Sequence, residues 1–234
     1  MYVFVFDVDG TLTPSRERID ENFRQFFLSF CKRNTVYIVT GSDLRKTHEQ
    51  IGKEVIHACE GVFSCCGNEF WRKNRLVYRN IMKLGYHETD ILETLLVGSR
   101  FPIRTGKHIE KRSGMINFSI VGRNATKEQR QAYIDWDTKT KEREKIASKI
   151  RSYLPRLDCA IAGETGIDVY LKGNDKGQVY PFIVEEENQI VFFGDRCEES
   201  GNDYPLAILA DTCYHVKDWT ETKKILEEVY HEYC

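Results

Sequence analysis

Residues 1–13 read Met1-Tyr2-Val3-Phe4-Val5-Phe6-Asp7-Val8-Asp9-Gly10-Thr11-Leu12-Thr13, and the fold turns on this stretch. Tyr2 to Phe6 is an unbroken apolar run. That suits a strand buried on both faces, as in the middle of a parallel sheet. Asp7 and Asp9 end the run abruptly. In an open parallel sheet, ligands gather beyond the carboxyl ends of the strands, so two carboxylates there are placed for chemistry. The same stretch lacks a basic leader and a small-residue cleavage site, so it reads as a strand and not a secretion signal.

The strand–helix rhythm continues outward from it. Ile19 to Cys31 carries apolar residues at helical spacing, and Thr35 to Val39 is a second strand, followed by Thr40-Gly41-Ser42-Asp43. Ser42 or Asp43 can cap the helix that runs through Gln50. Gly61 to Cys65 is a third strand. Glu69-Phe70-Trp71 and Arg75 to Tyr78 form a hairpin turning at Lys73-Asn74. The rhythm then breaks near residue 82. Thr89 to Val97 is helical, Met115 to Ile120 alternates like an antiparallel strand, Thr126 to Tyr153 is one long charged helix, and Cys159–Ile161 and Ile167–Tyr170 are strands. Gln189 to Phe193 restores the buried-strand pattern and ends at Gly194-Asp195. A short helix near Leu206–Ala210, a strand at Cys213–Val216 and a helix from Thr220 complete the chain. The pattern predicts a doubly wound, mostly parallel α/β (Rossmann-like) core, residues 1–82 and 173–234, with an inserted α+β cap, residues 83–172.

Bulk properties narrow the function. The 234 residues are 41% hydrophobic, 12% aromatic and 30% charged, which excludes a disordered chain. A formal net charge of −2 argues against nucleic acid as the main partner, and no apolar run is long enough for a membrane span. The eight cysteines (31, 59, 65, 66, 159, 197, 213 and 234) contain no C-x-x-C pair and no zinc spacing. They read as reduced structural thiols in a cytoplasmic protein.

Three polar clusters, each ending a buried strand, share one chemical rationale: Asp7 to Thr13, Thr40-Gly41-Ser42 and Gly194-Asp195. A carboxylate such as Asp7 can attack phosphorus and form an acyl phosphate. Two negative groups meet only around a cation, and Mg²⁺ takes one or two carboxylates, here Asp7 and Asp195. Asp9, two residues on, is placed as the general acid for the leaving alcohol. A hydroxyl from Thr40 or Ser42 and the ammonium of Lys176 can neutralise phosphate oxygens. Taken singly, each of these residues is an ordinary cap, turn or surface residue; their order and common position carry the argument.

The same motifs resemble the haloacid dehalogenase superfamily and, within it, the eukaryotic-type phosphomannomutases. Asp7 to Thr13 with Arg16 is similar to that family's nucleophile loop. Gly41-Ser42-Asp43 with Lys46 and Glu49-Gln50 is similar to its second motif. Arg112 to Asn117 with Gly122-Arg123 and Arg130 resembles its substrate-holding cap segment. Gly163 to Lys176, with Asp168 and Asp175, resembles the return to the core, and Gly194-Asp195 to Gly201-Asn202-Asp203 the metal motif. The resemblance implies Asp7 as nucleophile and Asp9 as acid/base. It implies Mg²⁺ on Asp7, Asp195 and the Asp9 carbonyl, and sugar-phosphate contacts from Arg16, Arg112, Arg123, Arg130 and Asp168. It also implies a hexose phosphate substrate, a hexose bisphosphate activator and a place in GDP-mannose biosynthesis, and is compatible with a homodimer. Guanidinium forks suit a second, distant phosphate.

Some positions depart from the pattern. Gly166 stands where the family usually has a phosphate-binding serine, Arg196 replaces a lysine, and Cys65-Cys66-Gly67-Asn68-Glu69 differs from the usual Glu-Asn-Gly segment. Asp211 is at best a loose match to a second cation loop. Two outcomes share every core residue: a mutase, or a sugar-phosphate phosphatase in which water attacks the acyl phosphate. A non-catalytic binding relative is a third class, but it has no need for Asp7, Asp9 and Asp195 together.

Overall fold

The computed structural model describes residues 1–233. Seven strands form one sheet in the order β11-β10-β1-β2-β3-β4-β5. They are β1 (Tyr2–Phe6), β2 (Thr35–Val39), β3 (Gly61–Ser64), β4 (Glu69–Arg72), β5 (Arg75–Arg79), β10 (Gln189–Gly194) and β11 (Thr212–His215). From β11 to β3 all neighbours run parallel, and β4 and β5 are antiparallel. The chain leaves β1 toward β2 on one side and arrives later at β10 on the other. The β1/β10 boundary is therefore the topological switch point, and the crevice beyond it is where α/β sheets bind ligands.

β1 is apolar throughout because it is covered on both faces. Phe4 and Phe6 face one cluster with Phe23, Phe27 and Phe30, which lie on helix α1 (Glu21–Arg33). Val3 and Val5 face the other, with Tyr37, Phe63 and Ile183. Phe6 stacks on Phe193 at 4.8 Å and meets Phe27 edge-on at 5.0 Å. Truncating one such ring to alanine costs about 3–5 kcal/mol. Asp20 caps α1 by accepting the Phe23 N–H at 3.0 Å, and Asn34 ends it in extended backbone.

A four-stranded antiparallel sheet, order β6-β7-β9-β8, is built from β6 (Ile109–Arg112), β7 (Met115–Phe118), β8 (Leu157–Ala162) and β9 (Gly166–Leu171). Helices α4 (Tyr86–Val97), α5 (Lys127–Thr140) and α6 (Glu142–Tyr153) supply the rest of its own apolar core. The long helix expected over Thr126–Tyr153 is two helices. Lys141 adopts a left-handed φ of 54° between them, and Asp137 accepts the Arg143 N–H at 2.8 Å and its Nε–H at 2.7 Å, satisfying the new helix start. The hairpin at Lys73-Asn74 forms as expected, with φ of 48° and 61° at the two turn residues, the backbone that matches strand twist.

Three elements escape the sequence patterns, the short α7 (Tyr180–Ile183) among them. Helix α3 (Lys53–Ala58) restarts directly after α2 (Leu44–Ile51) through Gly52 at φ 87°, and β6 reads Ile-Glu-Lys-Arg, too polar to stand out as a strand. Short helices α7 (Tyr180–Ile183) and α8 (Tyr204–Ala207) and the final α9 (Trp219–Val229) close the large sheet.

The small sheet sits against the strand ends of the large one. The Ile161 N–H donates to the Ser200 carbonyl at 2.9 Å and the Asn202 N–H to the Ile161 carbonyl at 3.1 Å. Ser113 donates to Glu69 at 2.5 Å, and Arg196 to the Gly163 carbonyl at 3.1 Å. Among the described residues the cysteines are free thiols, buried at 31, 59, 65, 66 and 159 but exposed at Cys213; Cys234 lies outside them. No helix among these residues is long and apolar enough to cross a membrane.

Candidate active site

A polar cavity opens between the two sheets, lined from the strand ends of the large sheet, here called the near end, by Asp7, Asp9, Thr40, Ser42 and Asp195, and from the small sheet and neighbouring loops, here called the far end, by Arg16, Arg112, Arg123 and Glu164. The near end is made by strand ends. Asp7 follows β1, Thr40 and Ser42 follow β2, and Asp195 follows β10. The Asp7 N–H donates to the Phe193 carbonyl at 3.0 Å, which carries the β1–β10 ladder to Asp7. Gly10 is required where these loops converge. Its φ is +89°, and a Cβ there would stand 2.5 Å from Asp195 Oδ2.

Asp7, Asp195 and Asp203 place carboxylate oxygens within 4.8 Å of one another. Lys176, fully buried, donates to Asp7 Oδ1 and, at 2.6 Å, to Asp203 Oδ1. Arg196 Nε stands 3.7 Å from Asp195 Oδ2, so two cations face three carboxylates and negative charge remains uncompensated. Burial, only partly offset by Lys176, together with Asp203 and Asp9 pushes the Asp7 carboxyl up to about 7. Burial with Asp203 and Asp7 pushes Asp195 well above the ordinary range. Crowded, strained oxygen ligands of this kind fit a small divalent cation.

Asp9 has the opposite environment. Its carboxylate accepts the Arg16 N–H at 2.6 Å, Gln50 Nε2–H at 2.9 Å and Lys46 Nζ–H at 3.1 Å. Burial opposes ionisation, but Lys46 and these hydrogen bonds outweigh it and hold the carboxyl down to about 2. Two aspartates of one short loop, two positions apart, are thus held in opposite environments, one favouring the proton and the other the charge.

The far end comes from the small sheet and from the loop after Asp9. Arg112, on β6, donates to the Gly41 carbonyl at 2.5 Å and to Glu110 at 2.6 Å, and Arg123 Nε lies 3.1 Å from the same Glu110 oxygen. Asp168, on β9, accepts from Asn117 at 2.8 Å. Gly41 is close enough to Asp168 that a Cβ would stand 2.7 Å from Asp168 Oδ2. Burial and repulsion from Arg123, Arg130 and Arg112 lower the Arg16 guanidinium to about 10.

Most residues predicted for the site converge on this cavity, with two differences. Lys176 is not on the cavity wall: it is spent on Asp7 and Asp203, so it positions carboxylates, and Lys46 is the lysine that faces the cavity. Arg130 is not on the wall either, because its guanidinium is paired with Glu164 and donates to Ser15 Oγ at 3.3 Å. The sequence patterns hold Asp203, Lys46 and Gln50 only as unassigned members of motifs. Glu110 and Glu164 carry no signal in sequence, since a surface-type glutamate beside arginines is commonplace.

A model of the family described as eukaryotic phosphomannomutase matches residues 23–232. A phosphomannomutase of Dendrobium officinale is 34% identical over 212 residues, 87% of this chain and 84% of its own length. One of Encephalitozoon cuniculi is 35% identical over 214 residues, 87% and 83% of the two chains. A probable phosphomannomutase of Caenorhabditis elegans is 30% identical over 243 residues, 98% and 96%. Among solved structures, an IMP-bound IMP-nucleotidase of Plasmodium falciparum aligns with 99% of this chain and 68% of its own at a TM-score of 0.67 and 16% identity. A sugar phosphatase of haloacid dehalogenase subclass IIB aligns with 100% of both chains at a TM-score of 0.57 and 14% identity, a likeness of fold alone.

Proposed function

Because the chain belongs to the eukaryotic phosphomannomutase family and is an enzyme with the haloacid dehalogenase fold, we propose that it is a phosphomannomutase. It interconverts mannose 6-phosphate and mannose 1-phosphate through phosphorylated Asp7. The observation that carries the reading is one cavity lined both by the strand-end carboxylates Asp7, Asp9 and Asp195 and by the guanidinium groups of Arg16, Arg112 and Arg123.

Lys176 holds Asp7 by Oδ1, which leaves its other oxygen to attack phosphorus. Mg²⁺, which Asp7, Asp195 and the Asp9 carbonyl would hold with Asp203 beside them, supplies the positive charge that lets a carboxylate and a phosphate approach. With Asp7 phosphorylated, ionised Asp9 takes the proton of the sugar hydroxyl as its oxygen attacks the acyl phosphate. The P–O bond to Asp7 breaks, and a hexose bisphosphate and protonated Asp9 result. After the bisphosphate turns over, Asp7 attacks its other phosphorus. The bond to the sugar oxygen breaks, and Asp9 returns the proton to that oxygen. A free-chain Asp9 held down to about 2 suits this base-first cycle, which needs a bisphosphate to charge Asp7. Ser42 and Thr40 border the phosphate position, and Arg16, Arg112, Arg123 and Asp168 face the other end of the sugar. Buried free thiols fit a reducing, cytoplasmic compartment, and mannose 1-phosphate fits GDP-mannose biosynthesis.

A second reading, a sugar-phosphate phosphatase, is favoured by Gly166 at the far wall and by the capture of Arg130 by Glu164, both of which loosen the hold on a distal phosphate. Incubation of the chain with mannose 1-phosphate, Mg²⁺ and a catalytic amount of hexose bisphosphate decides between them. The mutase yields mannose 6-phosphate without matching release of inorganic phosphate. Inorganic phosphate with no isomer selects the phosphatase, and neither product refutes both.

A further inference from the structure

The loop that follows β10 carries two of the three clustered carboxylates, Asp195 and Asp203, and it also carries Cys197. Cys213 lies on β11, the edge strand that pairs with β10. The Cys213 thiol donates to Cys197 Sγ at 3.6 Å, a separation only about 1.5 Å longer than the bond of a disulfide. Cys213 is exposed and Cys197 half-buried, so a reagent in solvent reaches the pair. A second pair, Cys31 and Cys59, has its sulfurs 3.8 Å apart, but both residues are buried, which shuts it off from the same reagent.

Cys197 is tied into the loop that bears the carboxylates. Its thiol donates to the Gly194 carbonyl at 3.5 Å. A Cβ on Gly194 would stand 3.0 Å from Cys197 Sγ and 2.7 Å from Asp203 Oδ2, so the loop packs closely on the end of β10. The adjacent Arg196 N–H donates to Asp203 Oδ2 at 3.0 Å, and the Arg196 carbonyl accepts the Asp203 N–H at 3.1 Å. Interiors packed this closely transmit a displacement instead of absorbing it. Drawing the Cys197 sulfur onto Cys213 therefore breaks its contact with Gly194, and the shift passes through Arg196 to Asp203 and Asp195.

We propose that Cys197 and Cys213 form an oxidisable dithiol, a site of thiol–disulfide exchange with a low-molecular-weight disulfide, whose closure weakens divalent-cation binding at the neighbouring acidic cluster. The effect on the cation rests on the proposed function; the exchange itself does not. Exposed Cys213 meets the reagent first. Its thiolate attacks one sulfur of the reagent, the reagent's S–S bond breaks, and a mixed disulfide forms on Cys213. The first small thiol leaves and takes a proton from water. Cys197 gives its proton to water and attacks the Cys213 sulfur, the mixed disulfide breaks, and the second small thiol leaves. The two cysteines lose two electrons and two protons, and the reagent gains them as two thiols. An excess of small thiol runs the same steps backward, so the closure is reversible. A disturbance beside the ligands, not of the ligands themselves, costs about 10–100-fold in metal affinity.

Equilibration of the full chain with oxidised glutathione tests this, on the wild type and Cys213→Ser. Peptide mapping by mass spectrometry reads the linkage, and calorimetric titration with Mg²⁺ reads the affinity. The wild type gains one intramolecular disulfide, joining the peptides of Cys197 and Cys213, while Cys31 and Cys59 stay reduced. Its Kd for Mg²⁺ rises at least about tenfold, and dithiothreitol returns it to the starting value. Cys213→Ser lacks one of the two sulfurs, forms no such link and keeps its Mg²⁺ affinity in the oxidant. Glutathione left on Cys213 without a link to Cys197, or an untouched pair, overturns the dithiol. A link formed with unchanged Mg²⁺ affinity overturns its hold on the cation loop. A reduced wild type that binds no Mg²⁺ instead refutes the reading of the site, and the peptide map still reports on the two cysteines.

Discussion

The two ends of the cavity are built on the same principle with opposite sign. At the near end three carboxylates crowd around one buried lysine; at the far end four guanidinium groups crowd around three carboxylates. In both, like charges are forced together by backbone geometry and only partly compensated. The near end is assembled by the ends of parallel strands, where a rigid ladder dictates position. The far end is assembled by an antiparallel sheet, a turn and a loop. On the proposed function the first end would do the chemistry and the second would select, because electrostatic effects are largest where backbone geometry holds charges fixed and water is excluded.

Four experiments test that contrast, and the largest effect belongs to the near end. Asp7→Asn removes the attacking oxygen, so turnover in the mutase or phosphatase assay falls at least about 10⁴-fold. The denaturant midpoint does not fall, because the substitution relieves carboxylate crowding; residual activity near the wild-type level would remove Asp7 from the mechanism. Lys176→Met leaves buried carboxylates without their counter-charge and lowers unfolding free energy by about 3–5 kcal/mol. Urea denaturation measures it, and a midpoint equal to the wild type would mean the ammonium is dispensable.

At the far end the effect is smaller. Arg112→Lys cannot span both Glu110 and the Gly41 carbonyl, so kcat/KM for the sugar phosphate falls about 10–100-fold, equivalent to about 1.4–2.7 kcal/mol, mostly through KM. A loss confined to kcat would move Arg112 from selection to chemistry. The smallest effect is the pH dependence of cation binding. Asp7 is raised above its ordinary value to about 7, so without a cation its ionisation detracts from stability as pH rises from about 4 to 7, and below 7 a proton competes with the ion. At an Mg²⁺ concentration of about ten times its Kd, the stability gain is about 1.4 kcal/mol at pH 8 and less than half that at pH 5. Thermal melts at the two pH values measure it; an equal gain at both would show that Asp7 does not hold the ion.

How far the site was legible follows the same division. Asp7, Asp9 and Asp195 were visible because each ends an apolar run, and a buried strand has one place for a carboxylate, its exit. The helix expected over Thr126–Tyr153 was misread as continuous because its composition is helical throughout. The break is imposed by Asp137 capping the second helix, an interaction between residues six apart. Lys176 was placed at the site, but its pairing with Asp203 was not legible, because that reach depends on how the turn before α7 meets the loop after β10. Arg130, expected among the sugar-phosphate contacts, lies off the cavity wall because Glu164 intercepts it.

Periodicity and the order of motifs by themselves determined the layered α/β core, the family and the strand exits where acidic residues gather, since these depend on which residues are apolar and on short-range spacing. Tertiary structure alone decided which charges meet: Lys176 with Asp7 and Asp203, Lys46 with Asp9, Glu164 with Arg130. Pairing energies depend on a few ångströms and on the exclusion of water, and neither exists until strands distant in the chain have been brought side by side.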